Sequence, residues 1–493
     1  MELLSETKLG DNLVHKGKIL ASGGILTIRN LLAVFISMIG SIFIVRFLGL
    51  KIYGLQSISV FFITLLSSIA DLSIGLYLLR KPGELNDQYL RVAFSLLQLL
   101  AWVTVLFAIF VIAPISAWWY GKKELFWLVA GCSLAIGIGA LAKVPIVLIE
   151  RNMEYGKISM LELSALIGYY LPAAIGAYVG LGIWALILGE LSKSFITTML
   201  AYKIKPIRIR FHWNNSIVRE ILNYGFPTST AGWVWVLSGA INPILIGKMI
   251  GLEAAGIVRL VQGIISQLSF FINIISRLSF NVLGKIQNDK KRILKAIDQS
   301  ALYSYFLVTF PLFLFASISY WAVPALYGDK SLPAVPLLLL AILPQGVNMI
   351  FAGQSFLLMT IGKASEMIKL HIIRSVAVWI ICFLLIPVSG YFALPLADII
   401  VLPVLFILHK NVSSIYGRPS YREAVVLLVI GYCSVVLSSS VKIPILGLLM
   451  FIVANGISFF VISSKSRSEI FEALHLFKKQ FVREPVWVIK DQK

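Results

Sequence analysis

The chain has 493 residues, of which 59% are hydrophobic and only 13% are charged. Soluble domains are about 45–50% apolar and about 25% charged, so this composition excludes an ordinary soluble protein. The 43 Lys and Arg residues exceed the 23 Asp and Glu residues and give a formal net charge of +20, which points to nucleic acid only if membrane topology does not explain it.

Long apolar stretches recur along the whole chain. A helix needs about 20 mostly apolar residues to cross about 30 Å of hydrocarbon. Fourteen stretches meet this requirement, so the sequence predicts an all-α polytopic membrane protein with about 14 transmembrane helices. In chain order they are residues 25–47, 55–79, 92–113, 125–149, 158–179, 182–201, 226–250, 255–283, 301–322, 334–361, 370–388, 391–408, 424–441 and 443–463.

The basic residues fall mainly in alternate loops. Cytoplasmic loops of membrane proteins retain Lys and Arg. With the N-terminus inside, the cytoplasmic segments hold 30 of the 43 basic residues and the external loops hold 6. The positive charge is therefore a topology signal, so we expect cytoplasmic termini and no nucleic-acid partner. The external loops are too short for a catalytic domain.

The sequence of the first external hairpin recurs 202 residues later. Residues 46–55 read RFLGLKIYGL and residues 248–257 read KMIGLEAAGI, so a cation and a Gly-Leu-x-x-x-Gly motif occupy the same places in both. This repeat predicts two six-span lobes. Because six is even, the lobes are parallel and related by an axis along the membrane normal, as in transporters that hold substrate between their halves.

The repeat and the span limits define the predicted domains. They are an N-lobe at 1–202, a cytoplasmic linker at 203–225, a C-lobe at 226–410, a C-terminal pair of spans at 411–463 and a cytoplasmic amphipathic tail at 464–493. In the linker we expect a short surface helix that starts at Asn215 or Ser216. The tail has apolar residues at helical spacing and is expected to lie on the inner leaflet.

Charged side chains occur inside the predicted spans. Each central charge costs about 2.5–3.5 kcal/mol on the translocon scale, so these groups must mostly face one another, water or a ligand. The cations are Arg29, Arg46, Lys143, Lys193, Arg259, Arg277 and Arg374, and the acids are Asp71, Glu162, Glu190 and Asp398.

A polar stripe follows one face of the eighth predicted span, at 255–283. Its members are spaced by three or four residues, which places them on one side of a helix. They are Arg259, Gln262, Ser266, Ser269, Asn273 and Arg277. Two arginines joined by uncharged polar groups suit an anionic headgroup that carries hydroxyls, because a guanidinium binds phosphate oxygens bidentately and stays charged at any pH.

The candidate substrate site lies in a central cavity and contains no catalytic or metal-binding group. Its residues are Arg29, Arg46, Arg259, Gln262, Asn273, Arg277 and Arg374. Asp71, Glu162 and Asp398 are candidates for ion coupling or for pairing with lobe cations. Arg29 and Arg46 lie near span ends, so snorkelling to the interface is the alternative for both. We expect no cofactor, and coupling to protons or sodium stays open.

Four short motifs together resemble a known family. They are RFLGLKIYG at 46–54, ADLSIG at 70–75, YGFP at 224–227 and GLEAAG at 251–256. With the span number and lobe order, they resemble the Wzx-type flippases, which form the polysaccharide transporter branch of the multidrug/oligosaccharidyl-lipid/polysaccharide (MOP) exporter superfamily, with a MATE-like fold.

This resemblance implies a bacterial inner-membrane flippase rather than an enzyme. Its cargo would be an undecaprenyl-diphosphate-linked oligosaccharide repeat unit, moved by alternating access from the cytoplasmic to the outer leaflet for O-antigen, capsule or exopolysaccharide assembly. The resemblance also implies a cationic cavity for the diphosphate and sugar. Membrane lipids, a polysaccharide polymerase and the chain-length machinery are the implied partners.

Three alternatives stay open at this point. A proton- or sodium-coupled multidrug exporter of the same superfamily would bind cations with acids and aromatic residues, whereas cations outnumber acids in these spans. A lipid II flippase would differ in cargo rather than in mechanism. A membrane glycosyltransferase, polymerase or ligase would need a sizeable loop or a clustered acid and base at one membrane face, and the sequence contains neither.

Overall fold

The structure is a computed structural model of the chain. It describes the backbone of residues 2–461 except residues 84, 208–209, 273–274, 277–278, 280–282, 285, 288 and 442. Side chains are described for the same residues between 28 and 457, with residues 231 and 364 also excepted. The predicted amphipathic tail at 464–493 lies outside the described residues.

The described residues form helices joined by short connections, without a β-strand among them, as the sequence predicts. Within this part of the chain, nine helices are long and apolar enough to cross a membrane, and the bent pair Asn215–Ser238 and Asn242–Met249 would make a tenth. Two of the nine, Ile28–Asp71 and Ser365–Tyr416, each cover two predicted spans. The protein is therefore a multi-pass membrane protein, and the count of fourteen spans stays a prediction.

The chain divides into two compact units. Among the described residues, the first unit contains those before residue 42 together with Phe62–Trp233, and the second contains Ile42–Phe61 and the residues from Val234 onward. The helices that begin in the first unit are α1 Glu2–Asp71, α2 Ile74–Arg80, α3 Asp87–Tyr120, α4 Lys123–Arg151, α5 Tyr155–Tyr178, α6 Ile183–Ile204 and α7 Asn215–Ser238.

The first unit has an apolar core where α2, α3, α4 and the start of α7 pack together. Each helix contributes side chains from one face, and their burial stabilises the four-helix contact. The core residues include Ile74, Leu78, Val92, Phe94, Leu97, Val144 and Ile221.

The predicted span at 55–79 is interrupted in the structure, which corrects the sequence prediction there. Helix α1 ends at Asp71, and Leu72 and Ser73 adopt φ values of 39° and 51°. This left-handed backbone costs about 1–3 kcal/mol for each non-glycine residue. Close packing of α7 offsets that cost: the hydroxyls of Ser73 and Ser229 lie 2.9 Å apart, and only a residue without Cβ fits at Gly225 against the Leu72 carbonyl.

The linker helix begins at Asn215 as predicted, but it is not a separate short helix. The Asn214 side chain caps it by accepting hydrogen bonds from the backbone N–H groups of Ser216 and Ile217, at 3.0 and 3.3 Å. The helix then continues without a break to Ser238. Ile221 is fully buried in the core of the first unit. This packing stabilises a helix that is longer than the short linker helix predicted from the sequence.

A polar cluster fixes the start of α7 to the first unit. The Glu220 carboxylate accepts hydrogen bonds from Tyr77 Oη at 2.6 Å, Lys81 Nζ at 2.8 Å and Tyr89 Oη at 3.1 Å. Burial alone would lower the pKa of the Lys81 ammonium, but its hydrogen bonds with Glu220 and Tyr77 raise that pKa above its ordinary value. Lys81 therefore stays charged in this cluster at neutral pH.

The second unit combines residues 42–61 of α1 with the helices that follow α7. These helices are α8 Asn242–Met249, α9 Leu252–Leu268, α10 Lys290–Ser317, α11 Ser319–Tyr327, α12 Ala334–Thr360, α13 Ala364–Ser389, α14 Ala393–Ile400, α15 Leu405–Tyr416, α16 Arg422–Ser439 and α17 Pro444–Val461. The core of the unit contains buried side chains of α10, α12, α13 and α15, such as Ile297, Leu357 and Leu408.

The two copies of the repeated motif have the same backbone geometry. Gly49 has φ 78° and ψ 167°, and Gly251 has φ 128° and ψ 173°. Positive φ with ψ near 180° is a region open essentially only to glycine. The repeat found in the sequence therefore marks two equivalent helix breaks.

The same two motifs cross each other at very close range, in a contact that we call the glycine crossing. A Cβ on Gly54 would overlap the carbonyl oxygen of Leu252, and a Cβ on Gly256 would overlap the carbonyl oxygen of Leu50. The backbone nitrogen of each glycine also lies close to the Cβ position of the other, at 3.1 and 3.2 Å. The contact is thus reciprocal, and it packs α1 directly on α9 within the second unit.

We predict that Gly54→Ala and Gly256→Ala each lower the stability of the protein by about 1–3 kcal/mol, because either methyl group must force the two backbones apart. Thermal unfolding of the purified protein in detergent measures this effect.

Gly232→Ala is the matched control for these two variants. Gly232 is also a helical glycine, but a Cβ placed there has no neighbour within 4 Å, so the substitution should be neutral or slightly stabilising. Equal unfolding temperatures for all three variants would show that the crossing is not tightly packed.

Candidate functional site

The predicted membrane acids of the first unit all lie beside cations. Glu162 forms an ion pair with Arg29. Asp71 lies 3.4 Å from Lys143 Nζ, and Glu190 lies 2.8 Å from Lys193 Nζ on the same helix. Arg29 therefore has an internal counter-ion, although sequence analysis places it in the substrate site.

The fourth membrane acid, Asp398, is paired within the second unit. Arg374 donates hydrogen bonds to Asp398 Oδ1 at 3.3 Å and to Asn348 Oδ1 at 3.0 Å. The Arg374 and Asp398 side chains are only 27% and 33% exposed, so the protein partly buries this ion pair. Two of the guanidinium's donor groups are already used by protein oxygens.

Arg46 has a different environment from the other predicted site residues. It is exposed near the helix break at Gly49 of α1 and donates a hydrogen bond to the backbone oxygen of Ala325 at 3.3 Å. The contact joins α1 to α11 inside the second unit, and the structure does not place Arg46 beside Arg259 or Arg374.

Arg259 on α9 lacks any such acceptor. Its guanidinium carbon lies 5.3 Å from the centre of the Tyr53 ring, and its Nε is buried without a hydrogen-bond partner. Among the predicted membrane cations whose side chains the structure describes, it alone forms neither an ion pair nor a hydrogen bond. An uncompensated charge inside a membrane span requires contact with water or with an anionic ligand.

The rest of the predicted stripe on α9 is partly described. Gln262 and Ser266 are exposed, whereas Val261 and Ile264 on the opposite side of the helix are buried. Ser269 is buried, and its hydroxyl accepts a hydrogen bond from Gln345 at 3.4 Å. The polar side chains of Gln262 and Ser266 therefore lie on a face of α9 that is turned away from the protein core.

Two of the predicted site residues, Asn273 and Arg277, lie outside the described residues. Their place in the same stripe stays a prediction.

The glycine crossing brings the parts of this site together. Tyr53 directly precedes Gly54 on α1, and Arg259 follows Gly256 by almost one helical turn on α9. Buried Asn242 on α8 contacts both elements of the crossing, because its side-chain amide donates to the Ser57 hydroxyl of α1 at 3.2 Å and to the Ala255 backbone oxygen of α9 at 3.3 Å.

Sequence analysis missed Tyr53 and Asn242 as parts of this region. Tyr53 lies in the hairpin motif at 46–55, between two predicted spans, and its ring belongs to no polar stripe at helical spacing. Its place beside the repeated glycine is the signal that would have identified it. Asn242 precedes Pro243 in a π-helical turn. Its role becomes evident only when its hydrogen-bond partner, Ser57, is known.

The arrangement is suited to binding an oxyanion. A guanidinium offers planar, permanently charged donors that match phosphate oxygens, and here no protein acceptor competes for them. Gln262 and Ser266 add exposed hydrogen-bonding groups on the same helix. In the described part of the chain, no group of three or more His, Cys, Asp or Glu side chains could hold a metal ion.

Comparison with known proteins places this chain among polysaccharide biosynthesis proteins. Residues 43–336 match the family described as "Polysaccharide biosynthesis protein". The chain is 23% identical over 279 residues to the teichuronic acid biosynthesis protein TuaB of Bacillus subtilis, covering 55% of this chain and 56% of TuaB. It is also 23% identical over 290 residues to the lipopolysaccharide biosynthesis protein WzxC of Escherichia coli, covering 58% of each. The match thus spans little more than half the length of either relative.

A solved structure extends the likeness over nearly the whole chain. The lipid II flippase MurJ in an inward closed conformation superposes with a TM-score of 0.60, covering 92% of this chain and 99% of MurJ, at 16% sequence identity. At this identity the likeness establishes the fold, which is the one expected from the resemblance to the MOP superfamily. Since the family match covers more than half of its residues, the chain belongs to the polysaccharide biosynthesis protein family.

Proposed function

We propose that this protein is a flippase that moves undecaprenyl-diphosphate-linked oligosaccharide repeat units across a bacterial inner membrane, and that it is not an enzyme. The observation that carries the proposal is the unpaired guanidinium of Arg259 on α9, within the predicted span at 255–283. A diphosphate would supply the acceptors that the protein does not. Membership of a polysaccharide biosynthesis family and the fold shared with a lipid II flippase support this cargo class.

The transport direction follows from the same proposal. Repeat units would enter from the cytoplasmic leaflet and leave in the outer leaflet by alternating access, for O-antigen, capsule or exopolysaccharide assembly. Both termini would be cytoplasmic, as the distribution of Lys and Arg favours. A polysaccharide polymerase and the chain-length machinery would use the product.

The charge balance favours an anionic cargo over the cationic drugs of a multidrug exporter. A cation-binding site needs a carboxylate that is free to meet the ligand. Each of the four acids predicted inside spans lies within 4 Å of a cation instead. Of the charged residues that are predicted inside spans and whose side chains the structure describes, the one with neither an ion pair nor a hydrogen bond is Arg259, which is positive.

Lipid II remains the alternative cargo, because it carries the same diphosphate on the same kind of lipid. The fold match is the observation in its favour. Cargo identity therefore has to be read from the lipid that accumulates when transport stops.

The first test is the leaflet distribution of lipid-linked oligosaccharide in cells depleted of the protein, in a strain without a second flippase. We expect the oligosaccharide lipid to accumulate on the cytoplasmic face and surface polysaccharide to be lost. Accumulation of lipid II there would identify lipid II as the cargo. Single repeat units on the outer face would point to a polymerase or ligase, and a normal distribution would point to drug export.

Arg259→Gln should abolish this transport at an unchanged protein level in the membrane, because glutamine is uncharged and lacks the guanidinium fork. Arg259→Lys keeps the charge but loses bidentate geometry, so intermediate activity is expected. Lys123→Gln, which removes an exposed cation at the start of α4, is the matched control and should transport normally. Normal transport by Arg259→Gln would remove Arg259 from the site.

We further propose that the Arg374–Asp398 pair is structural rather than part of a proton or sodium pathway. Asp398→Asn should then lower stability by about 2 kcal/mol, because it leaves the partly buried Arg374 without its counter-ion. Removing both charges with Arg374→Gln and Asp398→Asn should restore part of the loss. Thermal unfolding in detergent measures these differences.

The opposite result has a clear signature. Unchanged stability in Asp398→Asn, together with loss of transport driven by a proton or sodium gradient in vesicles, would make Asp398 a coupling residue.

A further inference from the structure

The Tyr53 ring lies beside the unpaired Arg259 guanidinium. Tyr53 is 7% exposed and lies in a buried stretch of α1. The centre of its ring is 5.3 Å from the Arg259 guanidinium carbon, within the range of a cation–π contact. The glycine crossing holds α1 and α9 at this spacing, and Asn242 on α8 donates hydrogen bonds to both.

An aromatic ring affects a guanidinium in a way that a carboxylate does not. It attracts the positive charge through its π electrons but accepts none of the in-plane N–H hydrogen bonds. A carboxylate in the same position would occupy those donors, as Asp398 does with Arg374. Tyr53 therefore stabilises the charge of Arg259 while leaving its donor groups available to a ligand.

The repeat makes this arrangement asymmetric. At the offset of 202 residues, Tyr53 corresponds to Ala255 and Arg259 corresponds to Ser57. The crossing itself is reciprocal, but the ring comes from the first copy and the guanidinium from the second. The equivalent place on the other side of the crossing holds neither an aromatic ring nor a cation.

We propose that Tyr53 is a positioning residue of the oxyanion site at Arg259, and that its ring limits the guanidinium to orientations in which the planar donors face the phosphate oxygens. This inference rests on the proposed function, because it takes Arg259 as the group that contacts the diphosphate. The two copies of the repeat then build one anion site jointly. Neither copy holds both of its parts.

A double-mutant cycle on the full chain tests this proposal. The probe is inorganic pyrophosphate, and its affinity for the purified protein in detergent is measured by isothermal titration calorimetry. We expect Tyr53→Phe, which keeps the ring, to bind like the wild type. Tyr53→Leu should weaken binding about fivefold, which is the scale of one cation–π contact. In an Arg259→Gln background, Tyr53→Leu should cause no further loss.

Thermal unfolding of each variant separates positioning from folding. Tyr178→Leu, which removes an exposed tyrosine ring from α5, is the control for loss of a tyrosine and should not change pyrophosphate affinity. If Tyr53→Leu unfolds too readily to be measured, Tyr53→Met gives a ring-free variant with an unbranched side chain for the same cycle.

The possible results distinguish this inference from the proposed function. If Arg259→Gln loses pyrophosphate binding but Tyr53→Leu does not, only the role of Tyr53 is wrong. An equal loss from Tyr53→Leu in both backgrounds would indicate a general structural role and would also overturn it. If Arg259→Gln binds as tightly as the wild type, the proposed anion site fails and the role of Tyr53 fails with it.

Discussion

The close approach of two backbones at Gly54 and Gly256 is the constraint on which the second unit depends. Side chains normally keep helices about 8–10 Å apart, but here each glycine faces a carbonyl oxygen of the other motif. This contact packs residues 42–61 of α1 with the elements that begin at Val234. It also sets the distance between Tyr53 and Arg259, so the geometry of the candidate site follows from an interaction that contains no polar side chain.

The second organising feature is the balance of charge inside the membrane helices. Acids neutralise cations pair by pair, as Glu162 does for Arg29 and Asp398 does for Arg374. Each pair avoids the cost of an isolated charge in lipid. Of the six predicted membrane cations whose side chains are described, Arg46 and Arg259 have no acid partner, and Arg259 also lacks a hydrogen bond. The candidate anion site therefore depends on a local charge on α9 rather than on the overall excess of Lys and Arg.

Much of this architecture could be predicted because it depends on local patterns. Apolar length identifies the helices, and the 202-residue offset identifies two equivalent breaks at Gly49 and Gly251. The spacing alone predicts the polar stripe on α9; of its described members, Gln262 and Ser266 are exposed, Arg259 is partly exposed and Ser269 is buried. These features require no knowledge of which helix packs against which.

The features that sequence analysis missed all depend on tertiary contacts. The break at Leu72 and Ser73 occurs inside a predicted span and is stabilised by α7, which lies more than 140 residues away in the chain. The continuation of α7 past the linker depends on burial of Ile221. Tyr53 carries no signal of its own, since its place in the hairpin motif at 46–55 does not show which side chain its ring contacts. A sequence pattern within one helix does not show which other helix packs against it.

The unequal residues around the glycine crossing have an evolutionary consequence. Two identical motifs would make identical contacts on both sides of the crossing, and only the glycines are required there for the helices to pack. The flanking positions have no such requirement, so Tyr53 and Ala255, and likewise Ser57 and Arg259, can differ. Side chains can therefore change in one copy of the motif at a time while the scaffold stays intact.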